Sequence, residues 1–201
     1  VIIGGGYIGL EFAAMYANYG SMVTVLEYGT DFLPREDRDI ANVIQTRLEA
    51  LGIRLVFNAQ VEEITDENDQ TTVGYLDRSS GDHVTLPADA VLIATGRKAS
   101  TAELDLEAAG VKMNERGEII VNELLQTNVP HIWALGDVKG GLQFTYISLD
   151  DSRIIKDQLW GDGKRTATNR GPIPYSMFLD PVFARVGLNE TEALQAGHKI
   201  K

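Results

Sequence analysis

Cysteine is absent from the 201 residues of this sequence. Disulfides, thiolate metal sites and thiol-based redox centres are therefore excluded for this chain. Histidine is scarce as well, and none of the three histidines has an acidic partner or metal-ligand spacing in the sequence. We therefore predict no metal site, and we treat His83, His131 and His198 as surface or structural residues.

Basic charge is also in short supply. The chain has 18 Lys and Arg residues against 29 Asp and Glu residues, which gives a net charge of -11. A duplex-binding surface needs a stripe of basic residues. Here the Lys and Arg residues are scattered, which disfavours nucleic acid and anionic membranes as partners. No apolar run approaches the ~20 residues that span a bilayer, so no membrane segment is predicted.

The composition, 44% hydrophobic and 23% charged, is that of a folded protein. The first 27 residues indicate a βαβ unit, with an apolar strand at 1–3, a helix at 8–19 and a β-branched strand at 22–26. A second helix at 38–51 and a third strand at 53–57 continue this alternation. The pattern predicts an α/β fold that begins with a Rossmann-like domain.

The rest of the chain is predicted to hold shorter elements. Three short alternating segments separated by polar turns indicate a small antiparallel meander. In chain order the predicted elements are strands near 60–65, 71–76 and 82–86, a buried strand at 90–96, a short helical piece at 104–110, a buried strand at 131–137, a helix at 144–160, a linker at 161–174 and then a new element.

The opening stretch "VIIGGGYIGLEFA" carries a glycine-rich turn between a strand and a helix. Gly4, Gly6 and Gly9 fit G-x-G-x-x-G, in which the first glycine allows a tight turn. The second lets a pyrophosphate approach the backbone, and the third lets helix and strand pack closely. The start of the helix then offers free N–H groups and about half a positive charge to the phosphates. We predict a dinucleotide site here; the alternative is a purely structural glycine turn.

An acidic residue, Glu27, ends the second strand at the spacing that this motif requires. A carboxylate there accepts hydrogen bonds from the adenosine ribose hydroxyls. It would repel a 2′-phosphate by about 4 kcal/mol at ~4 Å and an effective dielectric of 20. The next three residues include no base, and the nearest are Arg35 and Arg38. NAD(H) is therefore predicted over NADP(H); the alternative is a merely solvated strand end.

Three motifs, in matching order and spacing, give the chain a family resemblance. "GGGYIGLEFA" resembles the NAD(P)H-binding signature of the FAD-dependent pyridine nucleotide–disulfide oxidoreductases, G-x-G-Y-I-G-x-E-x-A. "VLIATGR" at 91–97 resembles the segment in which that family returns from its NAD domain to its FAD domain. "TNVPHIWALGD" at 127–137 resembles the second FAD motif. The signature is matched by Gly4, Gly6, Tyr7, Ile8, Gly9, Glu11 and Ala13.

Other stretches resemble one branch of that family, associated with reactive-chlorine resistance. They are "FLPREDRDIA", "GLQFTYISLDDSRI" and "PYSMFLDPVFARVG". The branch is associated with NADH-driven reduction of oxidants such as hypothiocyanous acid and with copper(II) reduction. The chain departs from the usual family pattern at 149–153, "LDDSR", and after Arg97.

The resemblance implies roles for residues near the nicotinamide. Tyr7 would lie over the flavin face and move aside for nicotinamide, although a core aromatic at a helix start is the alternative. Glu11 would sit beside the nicotinamide and pair with a lysine of the FAD domain; otherwise it is an exposed helix acid. Gly96 would let the backbone approach NAD, and Arg97 would brace the domain crossover.

The resemblance also implies FAD contacts. Asp137 would accept hydrogen bonds from the ribityl chain of the flavin, with Gly136 leaving room for it. Thr145 would open a helix under the flavin ring; the alternative is an ordinary N-cap residue.

By the same resemblance the chain divides into three parts and belongs to the middle of a longer protein. Residues 1–97 would form the NAD(P)H-binding domain and 98–165 the second part of the FAD-binding domain. Residues 166–201 would form a linker and the start of a dimerisation domain. The redox dithiol and the acid–base pair of the family are not in this sequence. We expect residues 98–165 to pack on another surface, associate with another copy or be poorly ordered, and not to hold FAD tightly.

The predicted function is that of the central part of an NADH-dependent flavoprotein reductase. Hydride would pass from NADH to FAD and on to the missing dithiol, in a cytoplasmic homodimer, and the chain alone would be inactive. Within enzymes the alternatives are a dihydrolipoamide dehydrogenase, a mercuric reductase or a glutathione reductase. An alternative of another class is a non-catalytic NAD-binding module.

Overall fold

The structure is a computed structural model that describes residues 1–67 and 69–200. The chain forms two compact units, one made of Val1–Gly96 together with the segment that starts at Pro174, the other of Arg97–Ile173. The elements are β1 (Ile2–Ile3), α1 (Tyr7–Asn18), β2 (Thr24–Leu26), α2 (Arg38–Ala50), β3 (Arg54–Val56), β4 (Ala59–Glu67), β5 (Gln70–Asp77), β6 (Asp82–Ala88), β7 (Leu92–Ile93), a 3-10 turn (Gly136–Lys139), α3 (Thr145–Trp160), β8 (Pro174–Met177), β9 (Phe183–Val186) and α4 (Glu190–Gln195). Among the described residues, no helix is both long enough and apolar enough to cross a membrane.

The first unit is built on a parallel sheet with the strand order β3-β2-β1-β7. Ile2 of β1 pairs with Val25 on one side and with Leu92 on the other. The β-branched residues of these short strands suit a pleated, buried sheet. The central position of β1 places the turn that follows it above the middle of the sheet. The predicted βαβ unit and α/β class are confirmed.

The strand predicted at 90–96 is shorter and less buried than expected. Only Leu92–Ile93 pair as β7, and the side chain of Ile93 is 64% exposed. β7 is the edge strand of this sheet, and among the described residues no strand pairs with its outer side to extend it.

Helix α1 packs on the sheet through its smallest residues. Its buried side chains are Leu10, Ala13 and Ala14, beside Gly9. Small residues let the helix axis approach the strands closely. The larger apolar residues that predicted the helix therefore turn away from the core, and those more than a third exposed are Ile8, Phe12, Tyr16 and Tyr19.

The predicted meander is present as a three-stranded antiparallel sheet with the order β4-β5-β6. Val73 and Tyr75 of β5 are buried and pack with Ile3 and Leu26 of the parallel sheet. The first unit therefore has two core clusters, one on each face of its parallel sheet, because α1 and α2 contribute to the other cluster.

The second unit contains helix α3 as predicted, but two other predictions for this unit are wrong. Residues 104–110 form consecutive turns, not a helical piece. Residues 131–137 contain no strand: Trp133 makes one isolated bridge to Gln126, and the chain then enters the 3-10 turn. A continuous run of four apolar residues is typical of a buried strand, but no neighbouring strand among the described residues pairs with it. The small core of the second unit contains Val111, Ile119 and Ala134.

The segment from Pro174 onward folds onto the first unit. Strands β8 and β9 form an antiparallel hairpin, and α4 follows with a capping box between Asn189 and Glu192. Met177 is fully buried in the core cluster that contains Leu10. The three-way division drawn from the sequence did not predict this packing.

Candidate functional site

The glycine-rich turn has the geometry that its motif requires. Gly4 adopts φ +105°, and a Cβ atom there would lie 2.5 Å from the carbonyl oxygen of Ala94. A Cβ atom on Gly9 would lie well inside 3.0 Å of the carbonyl oxygen of Gly4. Real Cβ atoms do not come that close to backbone, so both positions require glycine. These two residues therefore fix the close packing of β1, β7 and α1.

Gly6 has a different role, because nothing crowds it. It is the N-cap residue of α1 with φ -76°, and no atom lies within 4 Å of the position that a Cβ would occupy. The first N–H groups of an α-helix have no intrahelical acceptors, so those of α1 are available to a ligand at this end of the helix. The space fits a phosphate that approaches the backbone.

Glu27 joins the two loops that border this space. Its Oε2 accepts a hydrogen bond from the Gly5 backbone N–H at 2.6 Å, and its Oε1 accepts one from Gly29 N–H at 2.7 Å. A merely solvated strand end is therefore the wrong description of this carboxylate. Each carboxylate oxygen has a second lone pair, so Glu27 can still accept hydrogen bonds from hydroxyl groups of a ligand.

These residues line a cleft of about 440 Å³ in the first unit. One wall is the glycine-rich turn, and the other is the irregular loop between β2 and α2. The lining residues are Gly5, Gly6, Tyr7, Glu27, Gly29, Thr30, Asp31, Phe32, Leu33, Pro34, Arg35 and Glu36.

Tyr7 is held at the edge of this cleft by a carboxylate that the sequence analysis did not single out. Its hydroxyl donates a hydrogen bond to Oε1 of Glu36, a residue only 4% exposed. The hydroxyl of Tyr175 donates to the same oxygen at 2.8 Å, and the two tyrosine rings stack with centroids 5.7 Å apart. Burial, and then the hydrogen bond to Glu36, raise the pKa of Tyr7 well above its ordinary value. Burial also raises the pKa of Tyr175.

The raised pKa of Tyr7 predicts a loss of stability in alkali. Above about pH 10 an unfolded tyrosine ionises while folded Tyr7 keeps its proton, so the unfolded chain binds fewer protons and stability falls as pH rises. In the Tyr7→Phe variant the free energy of unfolding should fall less steeply with pH, with a slope smaller by the equivalent of up to about one bound proton. Denaturant unfolding at several pH values between 8 and 11 measures this slope. Exposed Tyr19→Phe is the control, and an unchanged slope in Tyr7→Phe would contradict the prediction.

The other residues of the NAD signature lie on α1. Glu11 accepts a hydrogen bond at Oε1 from the Phe178 backbone N–H, at 2.8 Å. Ile8 is 45% exposed. Gly96 is the last residue before the chain enters the second unit; it has φ +114° and no atom within 4 Å of a Cβ position. The structure thus adds a contact for Glu11 with the C-terminal segment, which its sequence position did not indicate.

The second unit brings together Arg97 and Asp137, which the resemblance had placed in separate roles. Arg97 Nη1 lies 2.7 Å from Asp137 Oδ2, with about half of each side chain exposed. Gly136 precedes Asp137 with φ +73°, and a Cβ there would lie 2.9 Å from Ser148 Oγ. The left-handed φ favours glycine at 136, and any larger residue would also require the Ser148 side chain to move.

A buried acid that the sequence analysis missed supports this turn. Asp151 is fully buried, and its Oδ2 accepts the Gly136 backbone N–H at 2.9 Å. Its two oxygens also meet Arg170 Nη2 at 2.6 Å and Lys139 Nζ at 3.3 Å. The sequence feature that could have revealed Asp151 is the departure from the family pattern at "LDDSR". An aspartate on the buried face of a helix needs a cationic partner, so its presence there indicates an ion pair.

Thr145 is exposed and is the first residue of α3. The N-cap residue is Phe144, which makes no side-chain cap, so the alternative of Thr145 as an ordinary N-cap is wrong. Thr145 is therefore free of a capping role at the start of this helix.

The sequence was compared with known protein families. Residues 1–152 match the family described as pyridine nucleotide-disulphide oxidoreductase. The chain belongs to this family. The match covers the glycine-rich turn, Glu27, the Arg97–Asp137 pair and Asp151, and the family predicted from the motifs is confirmed.

Individual members of the family are similar over the whole chain. The chain is 51% identical over 200 residues to the probable pyridine nucleotide-disulfide oxidoreductase RclA of Escherichia coli, covering 100% of this chain and 44% of that protein. It is 36% identical over 197 residues to the dihydrolipoyl dehydrogenase of Geobacillus stearothermophilus, covering 98% and 41%. The Cu(II) complex of the HOCl-induced flavoprotein disulfide reductase RclA from E. coli matches with a TM-score of 0.91 at 50% identity, covering 100% and 45%.

The pattern of identities agrees with the branch indicated by the sequence. Identity to RclA is 51%, against 36% to the dihydrolipoyl dehydrogenase. The chain spans less than half the length of these relatives.

Proposed function

We propose that this chain supplies the NAD(H)-binding part of a flavoprotein oxidoreductase. The observation that carries the proposal is the glycine-rich turn, whose Gly6 opens onto the start of α1 beside a carboxylate at Glu27. The pyrophosphate of the dinucleotide would lie over Gly6, and its adenosine ribose would hydrogen-bond to Glu27.

The cofactor preference follows from the charges of the cleft. Its lining includes three carboxylates, Glu27, Asp31 and Glu36, and one base, Arg35. Both oxygens of Glu27 are held by backbone N–H groups, so this carboxylate cannot easily swing away from a 2′-phosphate. We therefore propose NAD(H) as the preferred cofactor over NADP(H).

The second unit would contribute to an FAD site in the intact protein. Asp137 would hold the ribityl hydroxyls, Gly136 would leave room for them, and Thr145 would lie under the flavin ring. Arg97, already paired with Asp137, would orient that carboxylate. FAD supplies the acceptor for a hydride from NADH, and the residues of this chain supply binding and orientation. Tyr7, Glu11 and Gly96 would border the nicotinamide.

We extend the proposal to the intact protein by analogy with its relatives. Residues 1–97 would be its NAD domain, 98–165 part of its FAD domain, and 166–201 the approach to a dimerisation domain of a homodimer. Electrons would pass from FAD to a dithiol outside this sequence and then to an oxidant. A relative described as HOCl-induced favours an oxidant produced by reactive chlorine. Use of NADH favours the cytoplasm.

Calorimetric titration of the purified chain with NADH, NADPH and FAD tests the proposal. NADH should bind at least about tenfold more tightly than NADPH, a difference of about 1.4 kcal/mol. Absence of NADH binding would contradict the proposal, and tight FAD binding would mean that the glycine-rich turn serves the other dinucleotide.

Substitution of Glu27 isolates the source of the preference. Glu27→Gln removes the charge that opposes a 2′-phosphate, so the NADH-to-NADPH affinity ratio should fall about tenfold. Asp31→Asn is the matched control, because it removes one charge from an exposed residue of the same cleft. An equal change of the ratio in both variants would assign the preference to net charge and not to Glu27.

A further inference from the structure

One wall of the cleft has no regular secondary structure of its own. The loop between β2 and α2 contains no helix or strand from Tyr28 to Asp37, yet its residues 29–36 line the cleft. Part of its support is internal, since Arg38 donates hydrogen bonds to the carbonyl oxygens of Phe32 and Glu36. A loop of this kind keeps a defined shape only where other contacts hold it.

The C-terminal segment holds three consecutive residues of this loop. The carbonyl oxygen of Arg35 accepts hydrogen bonds from Arg185 Nη1 and from Asn189 Nδ2, each at 3.1 Å. Asp37 Oδ1 accepts the Glu190 backbone N–H at 2.9 Å. The middle residue, Glu36, is held by side chains of the same segment.

Arg185 is the centre of these contacts. Its side chain is 14% exposed, and its Nη1 lies 3.5 Å from Glu36 Oε2 and 3.0 Å from the hydroxyl of Tyr175. Its Nη2 pairs with Glu192 of α4. One guanidinium thus ties the hairpin and α4 to the buried carboxylate that fixes Tyr7.

We propose that Arg185 is a positioning residue for the dinucleotide cleft, acting through Glu36 and the Arg35 carbonyl, so that docking of the C-terminal segment and binding of NADH stabilise each other. The inference rests on the proposed function. Arg185 does not line the cleft; it orders residues that do. Thermodynamic linkage makes the effect reciprocal. If docking of the C-terminal segment raises the NADH affinity by some factor, bound NADH raises the equilibrium constant for docking by the same factor.

The test compares NADH affinity in the whole chain and its variants. Arg185→Met should weaken NADH binding about tenfold, within the range typical of coupled sites. Arg47→Met, an exposed residue on α2, removes the same charge and should change the affinity less than about twofold. Arg185→Lys keeps the charge but not the planar fork of donors, and should restore the affinity only in part.

Two further measurements distinguish positioning from general destabilisation. Glu36→Gln should weaken NADH binding when it is the only substitution. In the Arg185→Met background it should weaken NADH binding by less than about a further twofold, because Arg185 acts on the cleft through Glu36. Saturating NADH should slow hydrogen exchange of the β8–β9 amides in the wild type and not in Arg185→Met. If Arg185→Met does not fold, Tyr175→Phe removes only the hydroxyl and should weaken binding about threefold.

The outcomes separate this inference from the proposed function. NADH binding by the wild type, with equal affinity in Arg185→Met, overturns the inference alone. Additive effects of Glu36→Gln and Arg185→Met also overturn it. No NADH binding by the wild type overturns the proposed function and, with it, the inference.

Discussion

Replacement of Gly9 by alanine is expected to destabilise the first unit by about 3 kcal/mol, the upper end of the usual cost of overpacking. The added Cβ would meet the carbonyl oxygen of Gly4, which is backbone and is fixed by a hydrogen bond from Gly4 N–H to Leu26. Neither side can move without separating α1 from the sheet. A domain is stable by only 5–15 kcal/mol, so this loss should be visible as partial unfolding at moderate temperature.

Gly6→Ala is the matched variant in the same turn. The backbone of Gly6 is extended, and a Cβ there meets no atom within 4 Å, so the unfolding free energy should change by less than about 1 kcal/mol. The methyl group would occupy space that the pyrophosphate needs, so NADH affinity should fall at least about tenfold. Denaturant unfolding followed by circular dichroism and NADH titration measure both effects. Equal stability loss in Gly6→Ala and Gly9→Ala would contradict the packing argument.

Replacement of Asp151 by asparagine is expected to destabilise the second unit by about 3–5 kcal/mol. The carboxylate is fully buried between Arg170 and Lys139, and the side chains of both cations are nearly buried as well. Asparagine removes the counter-charge of Lys139, leaves Arg170 with only its 3.5 Å contact to Asp150, and turns an amide donor toward the two cations. Removal of one partner of a buried ion pair costs more than the pair contributes, because the remaining charge is not solvated.

The measurement uses intrinsic fluorescence, since both tryptophans of the chain, Trp133 and Trp160, lie in the second unit. Asp162→Asn is the control. It makes the same change in an ion pair with Lys164 in which both side chains are more than half exposed, and should cost less than about 1 kcal/mol. A similar unfolding midpoint for Asp151→Asn and Asp162→Asn would show that the buried cluster is not a stabilising centre.

The C-terminal half illustrates where sequence patterns mislead. "HIWALGD" contains four consecutive apolar residues, as a buried strand does, but the structure gives it one bridge and a 3-10 turn. A strand exists only where a partner offers its backbone groups, and periodicity carries no information about partners. The same limit applies to β7, where the apolar run is real but the strand lies at the sheet edge.

The features that depend on residues close together in the chain could be predicted from the sequence. The glycine spacing, the helix start and the acid at the end of β2 lie within 27 residues, and the structure joins them through the contact of Glu27 with Gly5. A Cβ atom at Gly4 or Gly9 would collide with backbone atoms, so only glycine fits these positions and the turn has a recognisable sequence. The order of the motifs then identified the family.

The residues that support these motifs come from distant parts of the chain and are brought to them by folding. Glu36 meets Tyr175 across 139 positions of the sequence, and Arg185 meets the Arg35 carbonyl across 150. Asp151 becomes a buried centre because α3 brings it against Gly136 and Arg170. Each is an ordinary charged residue in the sequence, and its environment is created by the packing of distant segments. Burial turns such a charge into an interaction that must be satisfied, and burial is a property of the folded chain.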